Sequence, residues 1–271
     1  MAVCTLALYF QEFKDYPLIV AANRDEFITR PSASPQILVE HPLIFGGKDL
    51  LAGGTWLGVN EHGLLAGIVN RRSGGDKAPS EPRSRGLLCL DILKLKEPAQ
   101  ACAFLRQEKG FHYQPFNLLF ANAQEAYIAY NAAEKIEYVK LGKGLHVISN
   151  TSIYNAGSAK TNHAHTLFSD AAKQVQQGMN RSFFKRWFGG GLPVWDQPSF
   201  IRLFQGILSN HALRQGSKDP KDAICVHAGN YGTVSSTVIF YMHSEKRFFY
   251  HHAPAAPCRS SYENYLSIEV P

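Results

Sequence analysis

Residues 3–10 run V-C-T-L-A-L-Y-F, apolar at nearly every position, and residues 17–22 repeat the pattern. Runs of this length, rich in β-branched, aromatic and aliphatic side chains, predict buried strands. The polar stretch between them is short enough for an antiparallel hairpin. With its turn centred near Phe13 and Lys14, Cys4 falls opposite Asn23. The charged run Asn23-Arg24-Asp25-Glu26 then follows directly on the second strand.

Further short apolar runs predict strands over 36–40 and 43–45, and a second hairpin over 55–59 and 64–69 across the turn Asn60-Glu61-His62-Gly63. The Gly46-Gly47 and Gly53-Gly54 pairs mark tight backbone turns. Residues 73–82 are polar with Gly and Pro, and predict a loop. Helical spacing of Leu87, Leu88, Leu90, Ile92 and Leu95 predicts a helix over 85–95, and a second helix is expected over 98–107 behind Pro98. Strands follow at 117–122, 126–130, 136–141 and 145–149. A helix is expected over 160–177, an irregular aromatic stretch over 183–195, and a helix over 198–209 behind the cap-like Asp196. Strands at 223–227, 237–243 and 247–251 close the chain, and 253–271 is expected to be a loose tail. Strands, two helices, strands, two helices and strands predict an α+β fold, with sheets packed on each other and helices outside.

The 271 residues are 45% hydrophobic and 18% charged, an ordinary balance for one globular domain over 1–271. The net charge of +6 comes from scattered cations such as Arg71-Arg72, Arg83, Arg85 and Lys185-Arg186, so no nucleic-acid partner is expected. The five cysteines are odd in number and widely spaced, which argues against a disulfide framework or a zinc site and for a reducing, cytoplasmic setting. His163 and His165, like His251 and His252, lack the i, i+4 spacing of helical ligands, so neither metal nor other cofactor is expected. No apolar run reaches the roughly 18 residues of a membrane span, and no basic region with an apolar core predicts a secretory signal.

Cys4 is the candidate for chemistry. A cysteine at the start of a mature chain supplies a thiol nucleophile and, through its own α-amine, a base. That amine titrates near ~7.7–8.0, suited to taking a thiol proton at neutral pH. A nearby cation such as Arg24 lowers a thiol's pKa, and Asp25 would orient the amine.

The segments A-A-N-R-D-E-F (21–27), R-P (30–31), A-G-G-T-W-L-G-V (52–59) and A-G-I-V-N-R (66–71) resemble the NRDE-motif family, also named for transport and Golgi organisation. S-R-G (84–86), F-N-L-L (116–119), I-S-N (148–150) and Y-G-T (231–233) agree with it. The resemblance implies an N-terminal-nucleophile hydrolase fold, a four-layer αββα sandwich of two stacked, mainly antiparallel sheets. It also implies distant kinship with cysteine acylases that cleave bile-salt and penicillin V amides. In those terms Cys4 is the nucleophile and Asp25 matches the acylase Asp at the N-terminal amine. Arg24 is assigned thiolate stabilisation, and Asn70 and Asn150, each ending an apolar strand, match two acylase Asn residues at the oxyanion and substrate. Asn23, Glu26, Thr55 and Trp56 are candidate substrate contacts; Glu26 either orients Arg24 or is exposed, and Trp56 lines a pocket or fills core.

Two positions depart from the pattern. Met1-Ala2-Val3 precede Cys4, so a short propeptide over 1–3 must be removed to free its amine. Val234 stands where relatives have Arg. The leading expectation is a cysteine amidohydrolase acting on a carbon–nitrogen amide bond of a small acylated molecule. The alternative is a non-catalytic trafficking protein that holds a lipid, acyl-CoA or haem in the same cleft, haem because family members have been proposed to handle it. A structural protein without a small-molecule site is the third option. No stable membrane insertion is expected.

Overall fold

The computed structural model describes residues 4–71, 81–132, 134–150, 159–187, 196–213 and 217–270. The proposed leader 1–3, most of the predicted loop 73–82 and residues 188–195 of the predicted irregular stretch lie outside them.

The chain opens with the expected hairpin, β1 (Thr5–Phe13) and β2 (Tyr16–Phe27). Then come β3 (Ser32–Glu40), β4 (Leu43–Asp49), β5 (Leu57–Asn60) and β6 (Leu65–Asn70), followed by helices α1 (Arg85–Leu93) and α2 (Pro98–Gln107). Next are β7 (Phe116–Ala121), β8 (Ala126–Ala132), β9 (Lys135–Lys140) and β10 (Gly144–Ile148), then α3 (Ala159–Trp187) and α4 (Gln197–Leu208). The last strands are β11 (His227–Ala228), β12 (Tyr231–Met242), β13 (Arg247–Ala253) and β14 (Glu263–Glu269).

These strands make two antiparallel sheets. One runs β3-β4-β5-β6-β7-β8-β9 as a simple meander; the other is ordered β10-β1-β2-β12-β13-β14, with β11 attached to β12. Continuous apolar strands need cover on both faces, and the packing supplies it. Leu6, Leu8, Val20 and Ile239 of one sheet meet Val59, Leu65 and Leu119 of the other. The reverse face of the first sheet, with Ala7, Tyr9, Ile19 and Phe240, packs under Phe168 of α3 and Phe200 and Phe204 of α4. The reverse face of the meander, with Ala66, Leu118 and Phe120, packs under Leu88 and Ile92 of α1 and Leu105 of α2. The layers are therefore α, β, β, α, and the class is α+β as the sequence predicts.

Four local expectations need correction. First, the N-terminal pairing is shifted by one residue. Gln11 takes a left-handed φ of 50° in a bulge between Phe10 and Phe13, and Thr5, not Cys4, pairs with Asn23. Because side chains alternate across a strand, this one-residue slip moves Asn23 to the face opposite Cys4 and puts Arg24 beside the cysteine. Second, the second strand does not end at residue 22: β2 runs on through the charged run to Phe27, held by β12. Third, the predicted tail carries β14, paired to β13. Fourth, residues 183–187 belong to α3, and of the strand expected at 223–227 only His227 is in a strand, the two-residue β11 that runs on to Ala228.

Candidate functional site

Five chain segments meet at one end of the sandwich: the start of β1, the end of β2, the end of β6, the turn before β5 and the start of α1. They line a cavity of about 210 Å³ that includes Cys4, Arg24, Asp25, Glu26, Thr55, Trp56, Asn70 and Arg85. Glycine backbone makes the junction close. Thr55 N donates to Gly86 O at 3.1 Å, and a Cβ on Gly54 would lie 2.2 Å from the Gly86 carbonyl carbon. The A-G-G-T-W and S-R-G segments are thus two halves of one contact.

Cys4 sits between two strands. Its thiol donates toward Asp25 O at 3.7 Å. The β1/β10 register, with Leu6 opposite Ile148, brings Asn150 alongside Cys4 when continued. Although the residue keeps some solvent exposure at the cleft wall, protein atoms crowd the sulfur. Burial pushes the thiol up to about 12 and the Asp25 charge adds to the rise, against a smaller pull from Arg24 and Lys160. With residues 1–3 still ahead of Cys4, desolvation outweighs the pull of the Arg24 cation and favours the protonated thiol.

Asp25 points to the helix side of its sheet. Lys160 Nζ, at the start of α3, donates to its Oδ2 at 2.9 Å, and Thr233 Oγ1 donates to its Oδ1 at 2.6 Å. Burial raises the Asp25 pKa, opposed first by the Lys160 charge and then by the Thr233 hydrogen bond.

Arg24 lies over the Trp56 ring, 4.3 Å from its centroid, and donates from Nη1 to Ser32 Oγ at 3.1 Å. The same ring covers Gly47, where an added Cβ would sit 2.2 Å from a ring carbon. Trp56 is both cleft wall and core cover, packing on the inter-sheet cluster while it carries Arg24. Burial lowers the pKa of Arg24 and of Arg85, yet guanidinium stays charged in proteins. Neither makes an ion pair among the described residues, whereas Arg30 holds Asp49 at 2.6 Å and approaches Glu26 at 4.0 Å. The cleft is consequently electropositive.

The other expected site residues divide. Asn70 ends β6 at the cleft, on the sheet facing Cys4. Asn150 is buried and its Nδ2 has no hydrogen-bond partner among the described residues. Thr55 lines the cleft but donates its hydroxyl to Leu57 O at 3.2 Å. Glu26 turns to the Phe27 amide at 2.9 Å and to Arg30 rather than orienting Arg24. Asn23 does not face the cleft: its Nδ2 donates to Leu208 O at 2.8 Å and Ile224 O at 3.0 Å, and its Oδ1 accepts from Ser236 Oγ. It ties β2 to α4, so the substrate-contact expectation is corrected. Val234 lies in a bulge of β12 and lines a separate cavity of about 620 Å³.

Three participants went unassigned in the sequence: Lys160, Thr233 and Arg85. Thr233 and Arg85 stand inside the Y-G-T and S-R-G segments, which was their only signal; Lys160 had none beyond opening a predicted helix. Among the described residues no helix is long and apolar enough to cross a membrane.

Comparison with known proteins agrees with this architecture. The chain is 27% identical over 242 residues to the Transport and Golgi organization 2 homolog of Mus musculus, covering 83% of this chain and 82% of that protein. The Bos taurus homolog is 26% identical over 247 residues, with the same coverage of 83% and 82%. Among solved structures, a Caenorhabditis elegans N-acylethanolamine-hydrolyzing acid amidase ortholog superposes with a TM-score of 0.55 at 13% identity, over 97% of this chain and 100% of that one. That likeness shows the fold alone, the four-layer α, β, β, α sandwich. The family model described as Transport and Golgi organisation 2 matches residues 3–253, and the chain belongs to that family.

Proposed function

We propose that this protein is a cysteine amide hydrolase of the N-terminal-nucleophile type, acting on the carbon–nitrogen bond of a small acylated molecule. The observation that carries the reading is Cys4 at the wall of a polar cleft, with Asp25 behind it, Asn70 on the facing sheet and, beside it, Asn150, whose Nδ2 has no hydrogen-bond partner among the described residues. Cleavage before Cys4 frees its α-amine. That amine accepts the thiol proton as Sγ attacks the carbonyl carbon, and the Asn70 and Asn150 amides donate to the oxyanion. Collapse of the intermediate breaks the C–N bond, the amine protonates the leaving nitrogen, and water releases the acyl group from the thioester. The Arg24 and Arg85 charges favour a substrate bearing an anionic group close to the scissile amide.

The rival reading is a non-catalytic binder of an acylated ligand in the same cleft, favoured by a thiol that is neutral while residues precede Cys4. Haem, the other ligand implied by the resemblance, meets Cys4 as its one candidate axial ligand among the described lining residues, and nothing in the cleft favours it. Intact-mass analysis of the purified protein, paired with alkylation of Cys4, is the test. A chain beginning at Cys4, alkylated quickly and slowed by Asp25→Asn, supports the hydrolase. A chain that keeps Val3 and carries an inert Cys4 overturns it in favour of the binder.

A further inference from the structure

Away from the cleft, Cys225, His227, Cys258 and His211 converge, with one ligand atom from each lying within 4.8 Å of all the others. In sequence the two cysteines are 33 residues apart, which hides them. The fold closes that gap. Cys225 lies in the bend just before β11 and His227 opens that strand, and the Cys225 Sγ and His227 Nε2 stand 3.8 Å apart. Cys225 N donates to Asn210 O at 2.9 Å, which fixes that segment beside His211. Gln205 of α4 donates to Pro257 O at 3.0 Å and Ser260 O at 3.3 Å, holding the turn that bears Cys258 against the same corner.

Three of the four ligand atoms are spaced as they are around a tetrahedral ion. Zinc bonds of ~2.3 Å to sulfur and ~2.0–2.1 Å to nitrogen imply S···S near ~3.8 Å and S···N near ~3.5 Å. The two sulfurs are 3.7 Å apart, and His227 Nε2 lies 3.8 Å from Cys225 Sγ and 3.3 Å from Cys258 Sγ. His211 stacks on His227 with ring centroids 5.1 Å apart. It sits on an exposed segment, with a ring nitrogen within 4.8 Å of the other three ligand atoms. An imidazole nitrogen standing near both sulfurs is what a shared ion requires and a simple thiol pair does not.

We propose that Cys225, His227, Cys258 and His211 form a structural zinc site. Two thiolates and two neutral imidazoles are a donor set that selects zinc, and four protein ligands leave no vacant position for catalysis. With two thiolates the filled site is neutral, so the adjacent Arg259 guanidinium does not oppose it. The ion would clip the loop after α4, the approach to β11 and the turn after β13 to one another. It would also brace the site in the cleft from behind, because Val226 N donates to Thr233 Oγ1 at 2.9 Å and that hydroxyl donates to Asp25. This expectation reverses the one drawn from cysteine spacing alone.

The test uses the full chain, purified reduced, with metal content measured and zinc chloride and cobalt chloride as probes. The expected result is about one zinc per chain and, on cobalt exchange, thiolate-to-cobalt charge transfer with tetrahedral d–d bands. Cys258→Ser and His211→Ala, both at exposed positions, should keep the circular dichroism of the parent and weaken zinc binding by more than about 100-fold in chelator competition. Retention of full affinity in both variants, or a reduced protein that takes up neither ion, would overturn the proposal. So would a Cys225–Cys258 disulfide persisting in the reduced preparation.

Discussion

Lys160 Nζ lies 2.9 Å from Asp25 Oδ2, with the two side chains 2% and 0% exposed. This buried pair joins α3 to β2 immediately behind Cys4. Two charges removed from water cost several kcal/mol each to desolvate, and only close geometry with added hydrogen bonds offsets that. Thr233 supplies one such bond to the carboxylate. Replacing either partner alone takes the opposite charge away from the other, so Asp25→Asn and Lys160→Met should each cost about 3–5 kcal/mol. The double variant should recover a large part of that loss. Urea unfolding measures it as a shift in midpoint at constant slope; additive losses in the double variant would mean the pair does not interact.

The thiol of Cys4 gives a pH dependence with a definite sign. A group pushed up to about 12 by burial is protonated at neutral pH. Alkylation of the chain that retains Val3 should therefore be slow at about pH 7 and rise about tenfold per pH unit through about pH 9, following the thiolate fraction. In a chain beginning at Cys4 the α-amine near ~7.7–8.0 takes over, and the rate should be higher and level off near about pH 8. Iodoacetamide kinetics read by mass spectrometry of the Cys4 peptide distinguish the two profiles.

How far the sequence reached depended on the range of the interactions involved. Helix α2 begins and ends at Pro98 and Gln107 as periodicity predicts, because its apolar face and Pro98 are local signals. Asp196 caps α4 by accepting from Ser199 N, also a local signal. The register beside Cys4 was not legible. It turns on a bulge at Gln11, whose side chain is held by Ala123 O at 2.8 Å, a contact between residues 112 apart. Strand β14 escaped notice because its residues alternate weakly and only Ile268 is buried. Asn23 was read as a cleft residue on the strength of its neighbours, although the alternation of a strand sends it to the opposite face. Lys160, and the meeting of Cys225 with Cys258, arise from tertiary folding alone.

Adjacent glycines at the cleft should respond differently to substitution. Gly53 has a φ of 74° with nothing near its absent Cβ, so Gly53→Ala meets only backbone strain, about 1 kcal/mol. Gly54 has Gly86 backbone 2.2 Å from where its Cβ would stand, and backbone cannot swing aside as a side chain can. Gly54→Ala should cost about 3 kcal/mol or more and should separate Trp56 from the start of α1. Thermal unfolding gives the stability order. Trp56 fluorescence should change in the second variant and not in the first.

The last prediction concerns acid. His251 and His252 on β13 are buried, and desolvation lowers both to about 4 from an ordinary 6.5, with the Arg24 charge adding to the effect at His252. Each ring has a polar neighbour, Gln197 Oε1 at 3.1 Å from His251 Nε2 and Thr237 Oγ1 at 2.9 Å from His252 Nδ1. Between about pH 6.5 and about pH 4 the unfolded chain binds protons that the folded chain refuses, so stability rises with pH across that window and is lost as pH falls through it. Each shift is worth at most about 3 kcal/mol, and less after allowance for residual solvent contact. The protein should therefore lose several kcal/mol between about pH 6.5 and about pH 4. His252→Asn, which keeps a polar atom for Thr237 and cannot take up a proton, should remove the His252 share of that loss across the window. An unchanged slope of stability against pH in His252→Asn would place the acid sensitivity elsewhere, in carboxylates that protonate at lower pH rather than in this ring.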